Sequence, residues 1–229
     1  MITKSNLSFL DQLETNNNRS WFTENKGVYL EQQKDMISFA DELLHLIHQH
    51  DDIETVSGKK ALMRIYRDVR FSKDKSPYKN YWGVYFKRGT VQLHGGYYLH
   101  VQKGGAFVDG GIWDSTAAEL KLIREAIIAD EKGFREIINT KTFKQHFGVL
   151  GLHGAQLKNV PRGYDKDSPS GDLLRHKQFL IRQDFTEKEL LRPDFVNKVN
   201  ESFKAFRPLL DWMSYTLTHD GNGEEISFQ

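Results

Sequence analysis

Apolar residues recur at helical spacing at both ends of the chain. The pattern predicts a helix over residues 5–14 and a long amphipathic helix from Arg19 to about His50, with Asn18 as its N-terminal cap. A last long helix is predicted from about Pro193, because apolar residues keep the same period as far as Leu217. Each of these helices presents one apolar face and must bury it against another element.

The period changes to strict alternation in the middle of the chain, which predicts β-strands. Apolar residues alternate with polar, aromatic or glycine residues in four stretches, and a weaker fifth follows later: 62–71, 81–86, 91–102, 106–111 and 178–183. Turns join the first four, and short connections of this kind produce antiparallel neighbours rather than βαβ units. In the strand from Val91, Tyr98 and His100 point to the polar face.

These patterns together predict an α+β fold. An antiparallel β-meander has one face covered by the long N- and C-terminal helices. No linker or internal repeat interrupts the pattern, so residues 1–218 are expected to form a single α+β domain. Residues 219–229 are polar and contain glycine, which predicts a flexible C-terminal tail.

Composition narrows the classes of protein further. The chain has 229 residues, no cysteine and a net charge of +1, so disulfides and thiolate metal sites are excluded. The N-terminus lacks an apolar run of signal-peptide length, and no stretch reaches the ~20 apolar residues that cross a bilayer. We therefore expect a soluble, cytoplasmic protein without a membrane partner.

Charge is distributed very unevenly along the chain. Residues 59–88 hold ten Lys or Arg against two acidic residues, a formal charge of +8. The remaining residues hold 22 basic and 29 acidic side chains and sum to −7. Such asymmetry predicts that something anionic meets this segment, either a ligand or the acidic part of the protein itself.

Strand alternation would place the side chains of residues 64, 66, 68 and 70 on one face, with Tyr98 and His100 beside them on a neighbouring strand. Guanidinium and ammonium groups with tyrosine hydroxyls suit a phosphate, sulfate or carboxylate. The expected ligand-binding residues are Arg64, Arg70, Lys75, Lys79 and Tyr98. The candidates for proton transfer are Asp68, Tyr78 and His100, although Asp68 could instead orient an arginine.

Arg67 falls on the apolar face of the predicted strand 62–71. Because an unpaired buried charge is costly, we expect a carboxylate from a helix to reach it.

Three functions compete at this stage. The first is binding of a phosphorylated or other anionic small molecule, with or without enzymatic turnover. The second is a nucleic-acid-binding module in which the basic segment meets the nucleic-acid backbone and Trp82, Tyr81 or Tyr98 stacks on bases. The near-neutral net charge makes it the weaker candidate. The third is a structural or interaction protein whose basic segment is internally ion-paired. No metal-binding motif, phosphate-binding loop or dinucleotide fingerprint is present, so the sequence names no cofactor.

The basic segment also carries a resemblance to a known family. Residues 67–79 read RDVRFSKDKSPYK, and further similar stretches lie at residues 17–26, 96–100, 110–113, 157–164 and 174–177. Together they resemble a widespread family of uncharacterised bacterial and fungal proteins, a domain of unknown function. Ser115 departs from the proline expected after Trp113-Asp114. The resemblance implies one full-length domain and supplies no activity, but it strengthens the prediction that the basic segment is a site.

Overall fold

The structure is a computed structural model that describes residues 1–89, 92–113, 115–150, 156–219 and 223–225. Its helices are α1 (Lys4–Thr15), α2 (Arg19–Glu24), α3 (Lys26–Ile47), α4 (Gly58–Ala61), α5 (Ala117–Ala129), α6 (Glu131–Ile138), α7 (Lys141–Phe147), α8 (Gly171–Leu174), α9 (Glu187–Leu190) and α10 (Phe195–Thr218). Its strands are β1 (Trp82–Lys87), β2 (Gly96–Gln102), β3 (Gly105–Gly111) and β4 (Leu180–Thr186).

The strands form one antiparallel sheet in the order β1-β2-β3-β4. This order follows the chain, with α5 to α8 inserted between the last two strands. The predicted α+β class and the antiparallel meander are therefore confirmed. β2 begins later than predicted, at Gly96; residues 92–95 are not strand, and Val91 lies outside the described residues.

The chain divides into two compact units. The first comprises Met1–Phe86, Tyr98–Val108 and Asp184–Glu201, and the second comprises Lys87–Tyr97, Asp109–Gln183 and Ser202–Gln229. A single domain over residues 1–218 stays a prediction. So does the flexible tail, because residues 220–222 and 226–229 lie outside the described part of the chain.

The N-terminal helices of the first unit cover β1 through an aromatic cluster. Phe9 of α1, Tyr29 of α3 and Trp82 of β1 have ring centroids 5.9–6.0 Å apart. All three side chains are buried, at 8% exposure or less. Burial of such rings removes a large apolar area from water, and this supplies much of the driving force for docking a helix on a sheet.

In the second unit, the part of α10 from Ser202 onward packs against the residues of β2 and β3 that belong to the same unit. Tyr97 of β2 contacts Phe203 with 4.8 Å between ring centroids. Gly110 of β3 lies so close to Phe206 that a Cβ atom at residue 110 would stand 2.6 Å from the ring. Glycine is therefore the residue that permits this helix to approach the sheet.

The predicted long helix from Arg19 to His50 is two helices instead. α2 ends at Glu24 and α3 begins at Lys26. The side chain of Asn25 donates a hydrogen bond to the Trp21 carbonyl at 2.9 Å. Asparagine side chains compete in this way for the groups of the helical backbone. The bond interrupts a helix that the apolar period alone predicts to be continuous. Asn18 caps α2 as predicted, since its Oδ1 accepts from Trp21 N–H at 3.0 Å.

The predicted strand over residues 62–71 is wrong. Only isolated bridges occur there, Leu62 with Val84 and Tyr66 with Tyr78. Of the predicted apolar face, Ile65 is buried, whereas Met63 is 43% and Phe71 is 96% exposed. The physical reason is that the backbone beyond Ile65 bonds to its own return at residues 77–79 and to local carboxylates, as described next, instead of to a strand of the sheet.

Candidate functional site

Residues 64–79, called the basic loop below, form a closed loop in the first unit. The N–H of Lys79 donates to the Ile65 carbonyl at 2.7 Å, and that of Arg67 donates to the Pro77 carbonyl at 2.9 Å. Tyr78 is anchored from outside by Asn17, whose side chain bonds both its N–H and its carbonyl at 3.0 Å. The loop therefore has a defined shape and a fixed attachment to the connection between α1 and α2.

Two arginines of the basic loop pair with acids of the same loop. Arg70 donates to both oxygens of Asp68, with Nη2 at 2.6 Å and Nε at 3.0 Å from the nearest oxygen. Arg67 pairs with Asp74. The carboxylate expected for Arg67 is thus present, but it comes from the loop and not from a helix, because the segment folds back on itself.

The acids of these pairs are held in the ionised form. Hydrogen bonds from Arg70 lower the pKa of Asp68. Hydrogen bonds from the Ser76 hydroxyl and N–H, followed by that from Arg67, hold the pKa of Asp74 well below its usual range. Of the two roles considered for Asp68, these contacts favour the orientation of Arg70 over proton transfer.

Arg64, Arg70 and Lys75 are exposed. The Arg70 side chain is 77% accessible, and the Lys75 ammonium donates to the Val69 carbonyl at 2.9 Å. Lys79 differs from all three because it is half-buried. Burial, aided by the nearby charge of Arg64, lowers the pKa of Lys79.

Lys79 lines a cavity of about 450 Å³ beside the basic loop. No acidic side chain among the described residues lies within ion-pair distance of its ammonium, which is instead 5.7 Å from the centre of the Tyr81 ring. The described residues that line it are Glu14, Asn17, Arg67, Asp74, Ser76, Tyr78, Lys79, Asn80 and Tyr81. Asp74 is engaged by Arg67 and Ser76, so Glu14 is the remaining acid of this lining.

Tyr78 forms the buried part of the lining. Its ring stacks on Phe22 at 4.0 Å, and it is only 5% exposed. Burial raises the pKa of Tyr78 further above neutral pH, where a tyrosine hydroxyl is protonated and can donate a hydrogen bond.

Tyr98 and His100 lie on β2 and contact each other. The Tyr98 hydroxyl is 3.0 Å from His100 Nδ1, and Gln102 Oε1 is 3.0 Å from His100 Nε2. The imidazole is stacked between Tyr81, at 4.2 Å, and Phe107, at 4.4 Å. Both ring nitrogens and both ring faces of His100 are therefore occupied by protein groups.

The structure thus joins the two parts of the predicted site through Tyr81. The Lys79 ammonium lies over the Tyr81 ring. The Tyr81 ring stacks on His100, and His100 in turn stacks on Phe107. Sequence reasoning assigned Tyr81 only to base stacking and did not assign Asn17 or Asn80 to the site. Asn17 does lie in one of the stretches that carry the family resemblance, a signal that pointed to it.

Arg88, the last cation of the +8 segment, takes no part in the cavity. It is completely buried in the second unit, where it pairs with Asp211 and donates to the Ser214 hydroxyl at 3.2 Å. One charge of the basic segment is therefore neutralised inside the protein.

Two further observations concern the described residues. They contain no group of three or more His, Asp or Glu side chains arranged to hold a metal ion. Within the same ranges, none of the helices combines the length and the apolar character needed to span a membrane.

Comparison with known proteins identifies the family. A search of curated proteins and a search of solved structures both find no match. The family model of a conserved hypothetical protein, DUF2461, matches residues 5–212, which include all four strands, the basic loop and most of α10. The chain therefore belongs to the DUF2461 family of conserved hypothetical proteins.

Proposed function

We propose that the protein binds a phosphorylated or carboxylated small molecule in the cavity beside the basic loop. The observation that carries this proposal is the environment of Lys79. Its ammonium is half-buried, has the Arg64 charge nearby and has no acidic partner within ion-pair distance among the described residues. A partly desolvated cation of this kind gains free energy when an anion binds beside it.

The neighbouring groups suit an anionic ligand. Tyr78 and Asn80 line the same cavity, and a tyrosine hydroxyl and a side-chain amide can both donate hydrogen bonds to an anion. The Tyr81 ring offers a flat wall for the rest of the ligand. The exposed Arg64, Arg70 and Lys75 would attract an anion from solution rather than enclose it, since charge on a rim acts mainly on the association rate.

The geometry supports binding more strongly than turnover. A general acid or base needs a free lone pair or proton within reach of the substrate. His100 has both ring nitrogens engaged by Tyr98 and Gln102, and Asp68 is held by Arg70. Tyr78 is the proton-transfer candidate that lines the cavity. His100 and Tyr98 then act by supporting the Tyr81 wall.

Thermal melting tests the proposal. The wild type is melted with inorganic phosphate, sulfate, sugar phosphates, nucleotides and dicarboxylates, each against sodium chloride at equal ionic strength. A ligand at ~100 times its dissociation constant should stabilise the fold by ~2.7 kcal/mol. Lys79→Met should abolish the shift. Lys73→Met is the matched control, because Lys73 is an exposed lysine of the same loop outside the cavity lining. Equal shifts in both variants, or none in the wild type, would overturn the proposal.

One observation favours nucleic acid as a second candidate. Phe71 is 96% exposed, and the Arg70 guanidinium stands 5.9 Å from its ring centre. An exposed aromatic ring among cations is the arrangement on which single-stranded bases stack. Short single-stranded DNA should then bind in a salt-dependent manner, and Phe71→Ser should weaken that binding while Lys79→Met leaves it largely intact.

The internally paired alternative also has support. Arg67 and Arg70 pair with acids of the basic loop, which reduces the charge offered to a partner. The Lys75 ammonium donates to a backbone carbonyl of the same loop. If neither anions nor DNA bind and Arg67→Ala lowers the melting temperature sharply, the basic loop is a structural element.

A further inference from the structure

A second basic cavity lies in the second unit. It has a volume of about 490 Å³ and is lined by Lys158, Asn159, Val160, Lys166, Gly171, Asp172 and Arg175. Three cations therefore face one acid. The volume is within the ~300–1,000 Å³ typical of small-molecule sites.

Among the described lining residues Asp172 is the one acid, and it is already paired. Arg135 donates to both oxygens of Asp172, at 2.8 and 3.2 Å. These hydrogen bonds lower the pKa of Asp172. The Asp172 carboxylate is thus paired with Arg135, which is not one of the described lining residues. No other described residue of the lining offers a carboxylate to its three cations.

Arg175 is the one arginine among the described residues that line this cavity. Its Nε is buried and has no hydrogen-bond partner among the described residues. Its backbone is nevertheless firmly held: Leu157 N–H donates to its carbonyl at 2.7 Å, and Arg124 donates to the carbonyls of Leu174 and His176. A buried donor left without an acceptor costs free energy, so a native site that retains one has a reason to do so.

We propose that Arg175, Lys158 and Lys166 form a second anion site, which takes inorganic phosphate or a phosphate monoester. The Nε–H and one Nη–H of a guanidinium form an edge that binds two oxygens of a phosphate at once. The two lysines are exposed and supply the remaining charge. Val160, which packs against Gly171, gives an apolar wall for the organic part of a monoester.

This site shares no residue with the cavity at Lys79. Binding at this second site can therefore be tested independently of the function proposed above. Its mode of recognition also differs: a guanidinium edge favours oxyanions that present two oxygens side by side, whereas an ammonium acts as a point charge.

Nuclear magnetic resonance on the full-length protein tests the inference directly. The Nε–Hε signal of Arg175, assigned by its loss in Arg175→Lys, is followed during a titration with inorganic phosphate and, separately, with sodium chloride at matched ionic strength. We expect a saturable shift with phosphate alone. Lys158→Gln combined with Lys166→Gln should weaken the phosphate affinity by about tenfold or more. Both lysines are exposed, so this double variant is expected to fold.

Two controls complete the experiment. Lys177→Gln removes a nearby exposed lysine outside the lining and should leave the affinity unchanged. Lys79→Met should leave the Arg175 shift intact. The inference is overturned if chloride reproduces the shift, if the shift does not saturate, if the double lysine variant binds phosphate as the wild type does, or if Lys79→Met abolishes the Arg175 response.

Discussion

The Asn17 side chain makes the two hydrogen bonds to the Tyr78 backbone that a neighbouring strand would make in a sheet. Its Oδ1 accepts a hydrogen bond from Tyr78 N–H and its Nδ2 donates one to the Tyr78 carbonyl, both at 3.0 Å. One side-chain amide thereby satisfies both backbone groups of Tyr78, the last residue but one of the basic loop. Tyr78 is held against Phe22, and Lys79 follows directly into the cavity.

Replacement of Asn17 should therefore loosen the basic loop. We expect Asn17→Ala to lower the free energy of unfolding by about 1–3 kcal/mol, because two partly buried backbone groups lose their partner. Asn16→Ala is the control, since the Asn16 amide makes one exposed bond to the Gln12 carbonyl. Urea denaturation measures both. Equal losses in the two variants would contradict the anchoring role of Asn17.

The close contact between Gly110 and Phe206 leads to a second prediction, on the stability of a Gly110 variant. A methyl group at residue 110 would stand 2.6 Å from the Phe206 ring. Gly110→Ala should therefore destabilise the protein by about 1–3 kcal/mol through overpacking. Phe206→Leu in the same chain should recover part of the loss, and a double-mutant cycle measures the coupling. Additive effects would show that the ring is not what opposes the methyl group.

The hydrogen bonds of Asp74 predict a dependence of stability on pH. They lower its pKa in the folded protein below the unfolded value, so their contribution is present above about pH 4 and is lost as the pH falls below it. The difference in urea midpoint between wild type and Asp74→Asn should be constant from pH 7 to pH 5 and shrink toward pH 2.5. A difference that does not change with pH would mean that ionisation of Asp74 contributes nothing to stability.

Glu14 provides a test of the sign of the ligand's charge at the anion site. It carries a negative charge in the lining of the cavity that holds Lys79. Glu14→Gln should therefore raise the affinity for a bound anion by about two- to fivefold, and the gain should diminish at high salt. Glu31→Gln, at an exposed position of α3 outside the cavity, is the matched control. An affinity that falls in Glu14→Gln would indicate a cationic or zwitterionic ligand.

Periodicity predicted the elements that bury a continuous face. The helices around Phe9 and Phe203 and the strands around Trp82 and Leu99 were all identifiable, because each side chain repeats at the spacing of its own element. The fold class followed from the short connections between the strands. The break at Asn25 was not predicted, since a single side chain that bonds the backbone leaves the apolar period unchanged.

In the basic loop, the alternation of apolar and polar residues predicted the wrong structure. The alternating residues Met63 to Phe71 match a strand as a pattern, yet Phe71 is 96% exposed. Alternation reports which residues are apolar, not whether a second strand is present to pair with them. The backbone instead closed on itself around Pro77, and local carboxylates took the amide groups that a strand would have used.

The α+β class, the family resemblance and the concentration of cations in residues 59–88 all follow from the order of residues along the chain. Folding then sets the environment of each cation: Arg67 and Arg70 are paired with neighbouring acids, Arg88 is buried, and Lys79 lies beside a cavity. It also brought Tyr81 onto His100 and left Arg175 Nε without a partner among the described residues. The reason is physical. Local preferences act between residues a few positions apart, whereas the free energy of a charge depends on groups from distant parts of the chain that meet only when the chain folds.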